Sequence, residues 1–428
     1  MEGKPNHNLT IESVDSLASE AAACVKCGRC LSVCPIYRET GREPQTARGK
    51  IALIEAAASG SLSEANINDI LSCCLLCGAC TEICPNMVPA YELIRKARTI
   101  FTSRRNSALA YKTFLSRILP FPQRLDRLYQ AGKALEPLLL KKVPLESGLY
   151  YRLPRGREKS ARIIPALAQQ SFLDVRRKRS QPHHPGALLF IGCVANYILP
   201  GIAEAALALL EHLGIPVVIP PEQSCCGLMA SGAGEIEAAR QIARRTIDAF
   251  AGEESVPIVA FCSSCSAHLK QYPALFEDKS SRQKALAFSQ RVKDLSELLV
   301  DAGLPAMKNF QAEEQVRFTF HDPCHLRRAQ GIIMQPRELL RAIRGAEFVE
   351  TGQENLCCGS GGSFDVSHYD LSLQIFRRRV RSIEEAGIDT VVTSCMGCLM
   401  QFQDGFHAMN KQQAVKHLAE VLKQALVE

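Results

Sequence analysis

No run of apolar residues in these 428 positions approaches the roughly 18 needed to span a bilayer, and a hydrophobic content of 46% with 22% charged residues is ordinary for a soluble globular protein. The opening residues, MEGKPNHNLTIESVDSLASE, have neither the basic n-region nor the apolar h-region of a secretory leader, so a cytoplasmic location is expected. A strong charge of one sign is missing too. A formal net charge of +7 is too small to select nucleic acid, an anionic membrane or an acidic protein as partner, and no nucleic-acid partner is expected. The length suits about three modules, each able to bury a core.

What the chain does have is cysteine. Its nineteen cysteines would suggest a disulfide scaffold in a short secreted protein, but in a long chain without a leader, and in clusters, they point to metal or redox chemistry. They fall within residues 24–34, 73–84, 193–265 and 324–398, with none between. The cysteine-free stretch 103–185 ends in the basic, proline-bearing YRLPRGREKSARIIPALAQQSFLDVRRKRSQPHHP and reads as a helical and basic linker. Before it, YKTFLSRILPFPQRLDRLYQ mixes apolar and basic residues at near-helical spacing, which suits a packing helix better than a peripheral membrane contact.

Cys24, Cys27, Cys30 and Cys34 precede Pro35, and Cys74, Cys77, Cys80 and Cys84 precede Pro85, both with two, two and three intervening residues. This is the spacing of a two-cluster ferredoxin, in which three thiolates hold one 4Fe-4S cube and the fourth reaches the other. The expected sets are Cys24, Cys27, Cys30 with Cys84, and Cys74, Cys77, Cys80 with Cys34. Paired zinc knuckles would not explain a third cysteine and a proline repeated twice. The segment ARGKIALIEAAASG has a helical period, so residues 1–102 are expected to form a helical ferredoxin domain, with Cys73 a buried bystander.

The remainder repeats. Cys193 pairs with Cys324, Cys225 with Cys357 and Cys262 with Cys395 at offsets of 131, 132 and 133 residues, which implies two copies of one unit, 186–310 and 311–428. Each copy alternates strands with helices: ALLFIG, IPVVIP and VPIVAF in the first, VRFTFHDP and IDTVVT in the second. The fold class expected is therefore α plus α/β, a helical two-cluster ferredoxin module followed by two repeated α/β lobes. All ten cysteines of the repeat fall at strand ends, where ligands of such sheets collect. Cys193, Cys225, Cys226, Cys262 and Cys265 are candidate metal ligands in one lobe, and Cys324, Cys357, Cys358, Cys395 and Cys398 in the other; zinc and buried thiols are the alternatives. Glycines after each Cys-Cys, Gly227 and Gly359 with Gly361 and Gly362, allow close backbone approach. The stretch GSGGSF lacks the lysine of a phosphate loop. His268, His321, Asp322 and His325 crowd these cysteines as hydrogen-bonded strand-end residues, and none is expected to be catalytic.

With CVKCGRCLSVCPIY, ARGKIALIEA and LCCGSGGSFDVSHYDLS in this order, the chain resembles the cysteine-rich Cys-Cys-Gly family. That family holds the heterodisulfide reductase B subunit, the iron-sulfur subunit of anaerobic glycerol-3-phosphate dehydrogenase and, most similar of all, the glycolate oxidase iron-sulfur subunit. The resemblance covers nearly the whole chain apart from the linker. It implies an electron-transfer subunit with two 4Fe-4S clusters, partnered by a separate FAD-binding dehydrogenase subunit that oxidises a 2-hydroxy acid such as glycolate or D-lactate, and relaying electrons to a quinone or other carrier. It places this subunit on the cytoplasmic face of the membrane or free in the cytoplasm. No dinucleotide fingerprint is present, so no FAD is expected in this chain. Glycolate oxidase subunits often lack some repeat cysteines, whereas both sets of five are complete here. By resemblance to heterodisulfide reductase, complete sets imply one or two noncubane 4Fe-4S clusters, and the alternative function is reduction of a disulfide at them. A zinc-binding module without redox activity is the third reading.

Overall fold

The structure, a computed structural model, describes residues 14–59, 61–62, 64–102, 109–142, 149–152, 162–178, 181–252, 255–307, 310–312 and 314–427. Most of the opening segment, residues 1–13, and residues 153–161 and 179–180 of the basic connector lie outside them. No helix among the described residues is long and apolar enough to cross a membrane.

The N-terminal module is helical, with helices Val14–Ala21, Pro35–Thr40, Ala47–Ala58, Glu64–Ser72 and Ala90–Thr102 around Leu17, Ile51, Ile54, Ile67, Leu71, Leu93 and Phe101. Helix Ala47–Ala58 is the expected ARGKIALIEA segment. Thr46 caps it, its Oγ1 accepting the Gly49 N–H at 3.1 Å. Gly49 has an unexceptional backbone, yet a Cβ there would lie 2.2 Å from the Glu43 carbonyl oxygen and 2.7 Å from Pro44 Cα, both backbone atoms that cannot swing aside. Gly49→Ala is therefore expected to destabilise this module by about 1–3 kcal/mol, read as a lowered melting temperature of the cluster-bearing protein.

The linker does more than connect. Strands β1 (Leu140–Lys142), β2 (Leu149–Arg152) and β3 (Ile163–Pro165) form a small antiparallel sheet. Sequence reading missed it, because each strand is three or four residues long and shows no sustained alternation. The apolar side of YKTFLSRILPFPQRLDRLYQ, Leu115, Leu119, Leu125 and Tyr129, is buried against the first lobe, where the Tyr197 hydroxyl donates to Asp126 at 2.6 Å.

The two lobes carry parallel four-stranded sheets. The first contains β4 (Ala187–Phe190), β5 (Val217–Val218), β6 (Ile258–Ala260) and β7 (Val292–Asp294), ordered β5-β4-β6-β7. The second contains β8 (Arg317–Phe320), β9 (Glu347–Phe348), β10 (Thr390–Thr393) and β11 (Ala414–His417), ordered β9-β8-β10-β11. The chain thus turns to opposite sides of the first strand, leaving a crevice at the carboxyl ends of β4 and β6, and of β8 and β10, where ligands of open α/β sheets bind. The fourth strands, β7 and β11, went unpredicted. The lobes are related by a local twofold and exchange helices across it: Leu418–Ala425 packs on Pro200–His212, and Leu295–Asp301 on Met334–Arg341. Between the lobes, Ser263 N donates to the Ser394 carbonyl at 2.8 Å and the two hydroxyls meet at 2.6 Å.

Candidate metal centres

In the helical module the two Cys-x-x-Cys-x-x-Cys loops have the same unusual backbone. Lys26 and Leu76 are left-handed (φ 56° and 49°), as are Gly28 and Gly78 (φ 81° and 72°). A non-glycine residue resists that region by about 1 kcal/mol or more, so the two loops are held in shape by what surrounds them. One cavity of about 420 Å³ is lined by Cys24, Cys27, Cys30, Cys80 and Cys84. A second, of about 440 Å³, is lined by Cys34, Cys74, Cys77 and Cys80. The proline-side cysteine of each run thus stands in the other run's cavity.

The chemistry of these donors suits a bulky group. Tetrahedral zinc with Zn–S bonds of about 2.3 Å needs sulfurs roughly 4 Å apart. Among the described residues, no three thiols of this module lie within 4.8 Å of one another. Backbone N–H groups point at the sulfurs, Leu76 N at 3.5 Å from Cys74 Sγ and Val88 N at 3.4 Å from Cys84 Sγ. Burial pushes the Cys34 and Cys77 thiols up to about 11 and Cys80 higher still, so these walls disfavour lone thiolates and accept them beside a cation. Cys73 lines neither cavity; it packs with Ile36, Leu75, Phe364 and Ile375.

The ten repeat cysteines converge at the crevices and meet across the twofold. Cys193 and Cys225 Sγ are 3.8 Å apart. From there an electrostatically coupled run of thiols leads through Cys226, Cys265 and Cys262 to Cys395 of the other lobe, and on to Cys398, Cys358 and Cys357, with Cys358 and Cys398 at 3.3 Å. Cys324 faces Cys358 and Cys395, and burial pushes it up to about 12. So crowded a run cannot ionise together: bonds from Cys225 and Cys265 hold Cys226 down to about 6, while the bond to Cys225 and burial drive Cys193 far up. Metal cations resolve that conflict. The glycine after each Cys-Cys is left-handed, Gly227 at φ 89° and Gly359 at φ 92°, and donates back to Cys225 Sγ at 3.3 Å and Cys357 Sγ at 3.4 Å. The GSGGSF loop holds no phosphate-loop geometry of its own; Gly361 turns over Leu75 of the helical module, where a Cβ would come within 2.6 Å of Leu75 Cδ2.

The polar residues beside these cysteines separate into kinds. Asp322 is an ion-pair anchor, bonded to Arg337 at 2.8 Å and Arg327 at 3.1 Å. His325 Nδ1 lies 3.1 Å from Ser264 Oγ, which in turn is 3.0 Å from Cys395 Sγ. Burial lowers His268 to about 3, so it is neutral, and its Nε2 has no hydrogen-bond partner. His321 stands closer: an imidazole nitrogen, Cys358 Sγ and Cys398 Sγ all lie within 4.8 Å of one another. Sequence reading took it for a strand-end residue like the rest.

Between the helical module and the second lobe lies a cleft of about 610 Å³, lined by Cys77 on one side and Cys357 on the other, with Arg38, Arg328 and Arg378 in its walls. Arg328 bridges it, Nε to Glu82 at 2.8 Å, Nη2 to the Asn355 carbonyl at 3.0 Å and Nη1 to the Cys77 carbonyl at 3.4 Å.

Comparison with known proteins agrees with this division. Residues 20–88 match the 4Fe-4S dicluster domain, and residues 187–270 and 318–403 each match the cysteine-rich domain. The chain is 30% identical over 426 residues to a probable glycolate oxidase iron-sulfur subunit of Bacillus subtilis (strain 168), covering 95% of this chain and 94% of that one. It belongs to the family of iron-sulfur subunits that includes the glycolate oxidase subunit. The Escherichia coli (strain K12) glycolate oxidase iron-sulfur subunit is 28% identical, with 94% of each chain covered. Another relative, the B subunit of the CoM/CoB fumarate reductase of Methanothermobacter marburgensis, is 28% identical over 89% of this chain and 67% of its own. A solved structure of a hypothetical protein from Helicobacter pylori shares the fold at a TM-score of 0.51 and 11% identity, covering 93% of this chain and 71% of that one. Family membership makes the helical module a holder of two 4Fe-4S clusters, and the cysteine clusters of the cysteine-rich domains suggest further metal centres.

Proposed function

We propose that this chain is the electron-transfer subunit of a flavin-dependent 2-hydroxy-acid dehydrogenase, acting on glycolate or D-lactate, which receives electrons from a separate FAD subunit and delivers them to a quinone or other carrier. In this reading Cys24, Cys27, Cys30 and Cys84 hold one cubane cluster and Cys34, Cys74, Cys77 and Cys80 the other. The two sets of five, Cys193, Cys225, Cys226, Cys262, Cys265 and Cys324, Cys357, Cys358, Cys395, Cys398, hold one noncubane cluster each. Such clusters supply reversible one-electron transfer.

The observation that carries the reading is the contiguity of the cysteine sets: Cys77 and Cys357 share one cleft, and Cys262 is electrostatically coupled to Cys395. Beside the first junction Ile36, Leu75, Phe364 and Ile375 form an apolar cluster, and Arg328 bridges the two walls. Glycolate oxidase membership supports the hydroxy acid. In the complex reconstituted with its flavin subunit, Cys77→Ser is expected to leave flavin reduction by the hydroxy acid intact and to lower quinone reduction at least about 100-fold, about 2.7 kcal/mol in barrier. Equal loss of both rates, or of neither, would overturn the relay.

The completeness of both five-cysteine sets and their meeting at Cys262 and Cys395 favour a second reading, disulfide reduction at the repeat. Turnover of a disulfide with reduced viologen, without any flavin subunit, would establish it.

A further inference from the structure

The repeat gives each residue of one crevice a counterpart in the other, and one of the pairs that differ exchanges an apolar ring for a metal-binding one. Three residues before the first cysteine of each lobe stand Phe190 and His321. Phe190 closes β4, paired with Ala260 of β6, and packs against Phe250 at 6.0 Å in an apolar core. His321 continues β8, its N–H donating to the Val392 carbonyl of β10 at 2.8 Å, and its ring is 1% exposed, set edge-on to Phe402 at 5.0 Å. Its Nδ1 is buried with no hydrogen-bond partner. A buried, unsatisfied ring nitrogen is unfavourable, and it is tolerated where another group supplies the missing partner.

Among the described residues, His321 with Cys358 and Cys398 is the one group of His, Cys, Asp or Glu donor atoms close enough for three of them to share a single ion. A separation under 4.8 Å suits metal–sulfur bonds of about 2.3 Å and a metal–nitrogen bond of about 2.0 Å. The strand end cannot drift away from this position. Asp322 N donates to the Glu354 carbonyl at 3.0 Å, and the Asp322 carboxylate takes two bonds from Arg337 at 2.8 and 3.1 Å.

We propose that His321 is a nitrogen ligand to the second cysteine-rich centre, bound to the same iron as Cys358 and Cys398, whereas the first centre, with Phe190 at that place, is held by sulfur alone. This rests on the reading that the repeat carries iron-sulfur centres. The imidazole would add a neutral nitrogen donor to the same number of thiolates that the first centre has. The two lobes then hold their centres with different donor sets despite their common fold.

The test is pulsed EPR on anaerobically purified, reduced full-length protein, grown with natural and with 15N-labelled histidine, after iron has been counted. At about sixteen iron per chain, one centre is expected to show a strongly coupled nitrogen that changes to the 15N pattern on labelling. His321→Phe is expected to abolish the coupling and keep the iron, since all five cysteines remain. His321→Gln serves the same purpose should phenylalanine prevent folding, and His325→Phe is expected to leave the coupling in place. Full iron without nitrogen coupling, or coupling that survives both His321 variants, overturns the ligand alone. About eight iron in the wild type removes the centre, and with it the cluster reading of the repeat.

Discussion

Anaerobically purified protein is expected to hold about sixteen iron and as much acid-labile sulfide per chain, and the Cys262→Ser, Cys395→Ser double variant about eight. These two cysteines follow β6 and β10 at the mouths of the two crevices and are electrostatically coupled to each other between the lobes. Hydroxyl groups in their place would bind iron poorly, and they would also break the thiol run at its middle, so both repeat centres suffer. The helical module shares no cysteine with that run, and its two clusters should survive with unchanged EPR. If wild type and variant both hold about eight, the repeat carries no cluster and acts as a docking scaffold. Zinc in place of the missing iron would favour the non-redox alternative.

The second large effect is expected at Arg328. Burial works against its charge, but Cys77, Glu82 and Cys324 more than offset this and hold the guanidinium above its ordinary range. It is a nearly buried cation between two cysteine sets, with its side chain 11% exposed. Arg328→Met keeps the length and removes the charge. Loss of one unit charge at close range is worth about 1–4 kcal/mol, so the centre beside Cys77 should move down by on the order of 50–150 mV. The bonds to Glu82 and to the Cys77 and Asn355 carbonyls go as well, and electron transfer into the second lobe should slow by about tenfold or more. Arg328→Lys separates the two causes. Lysine restores charge and most of the potential, but a single ammonium cannot span the three acceptors, so the slower transfer should persist. A full rescue by lysine would leave no role for the bridge.

The two ferredoxin runs and the offsets of 131 to 133 residues carried the architecture, because cysteine spacing at a metal centre leaves little freedom. Strands buried on both faces, such as Leu188 and Leu189 in β4 or Val391 and Val392 in β10, read as apolar runs and were found. Strands β7 and β11 are edge strands that alternate valine with an outward lysine for only three or four residues, too brief for a periodic signal. A signal was nonetheless present. VKDLSELL and VKHLAEVL repeat each other and both form capping boxes, Asp294 with Glu297 and His417 with Glu420. The offset there, Val292 to Val415, has shrunk to 123 because the loops preceding the two strands differ in length, helix Lys279–Gln290 lying before β7. His321 was missed for another reason. Its distinction lies in standing opposite a phenylalanine and within reach of two thiols far away in sequence, which only the folded chain brings together.

One contrast between the cysteine sets governs how the protein ages. Cys27 is exposed, close to Val25 at 66% exposure, while Cys226, Cys262, Cys358, Cys395 and Cys398 are sealed in the interior. Atmospheric oxygen therefore meets the molecule at one end. Spoilage in air advances as a front from Cys27 inward, and a half-spoiled preparation has lost its surface terminal while its interior remains whole.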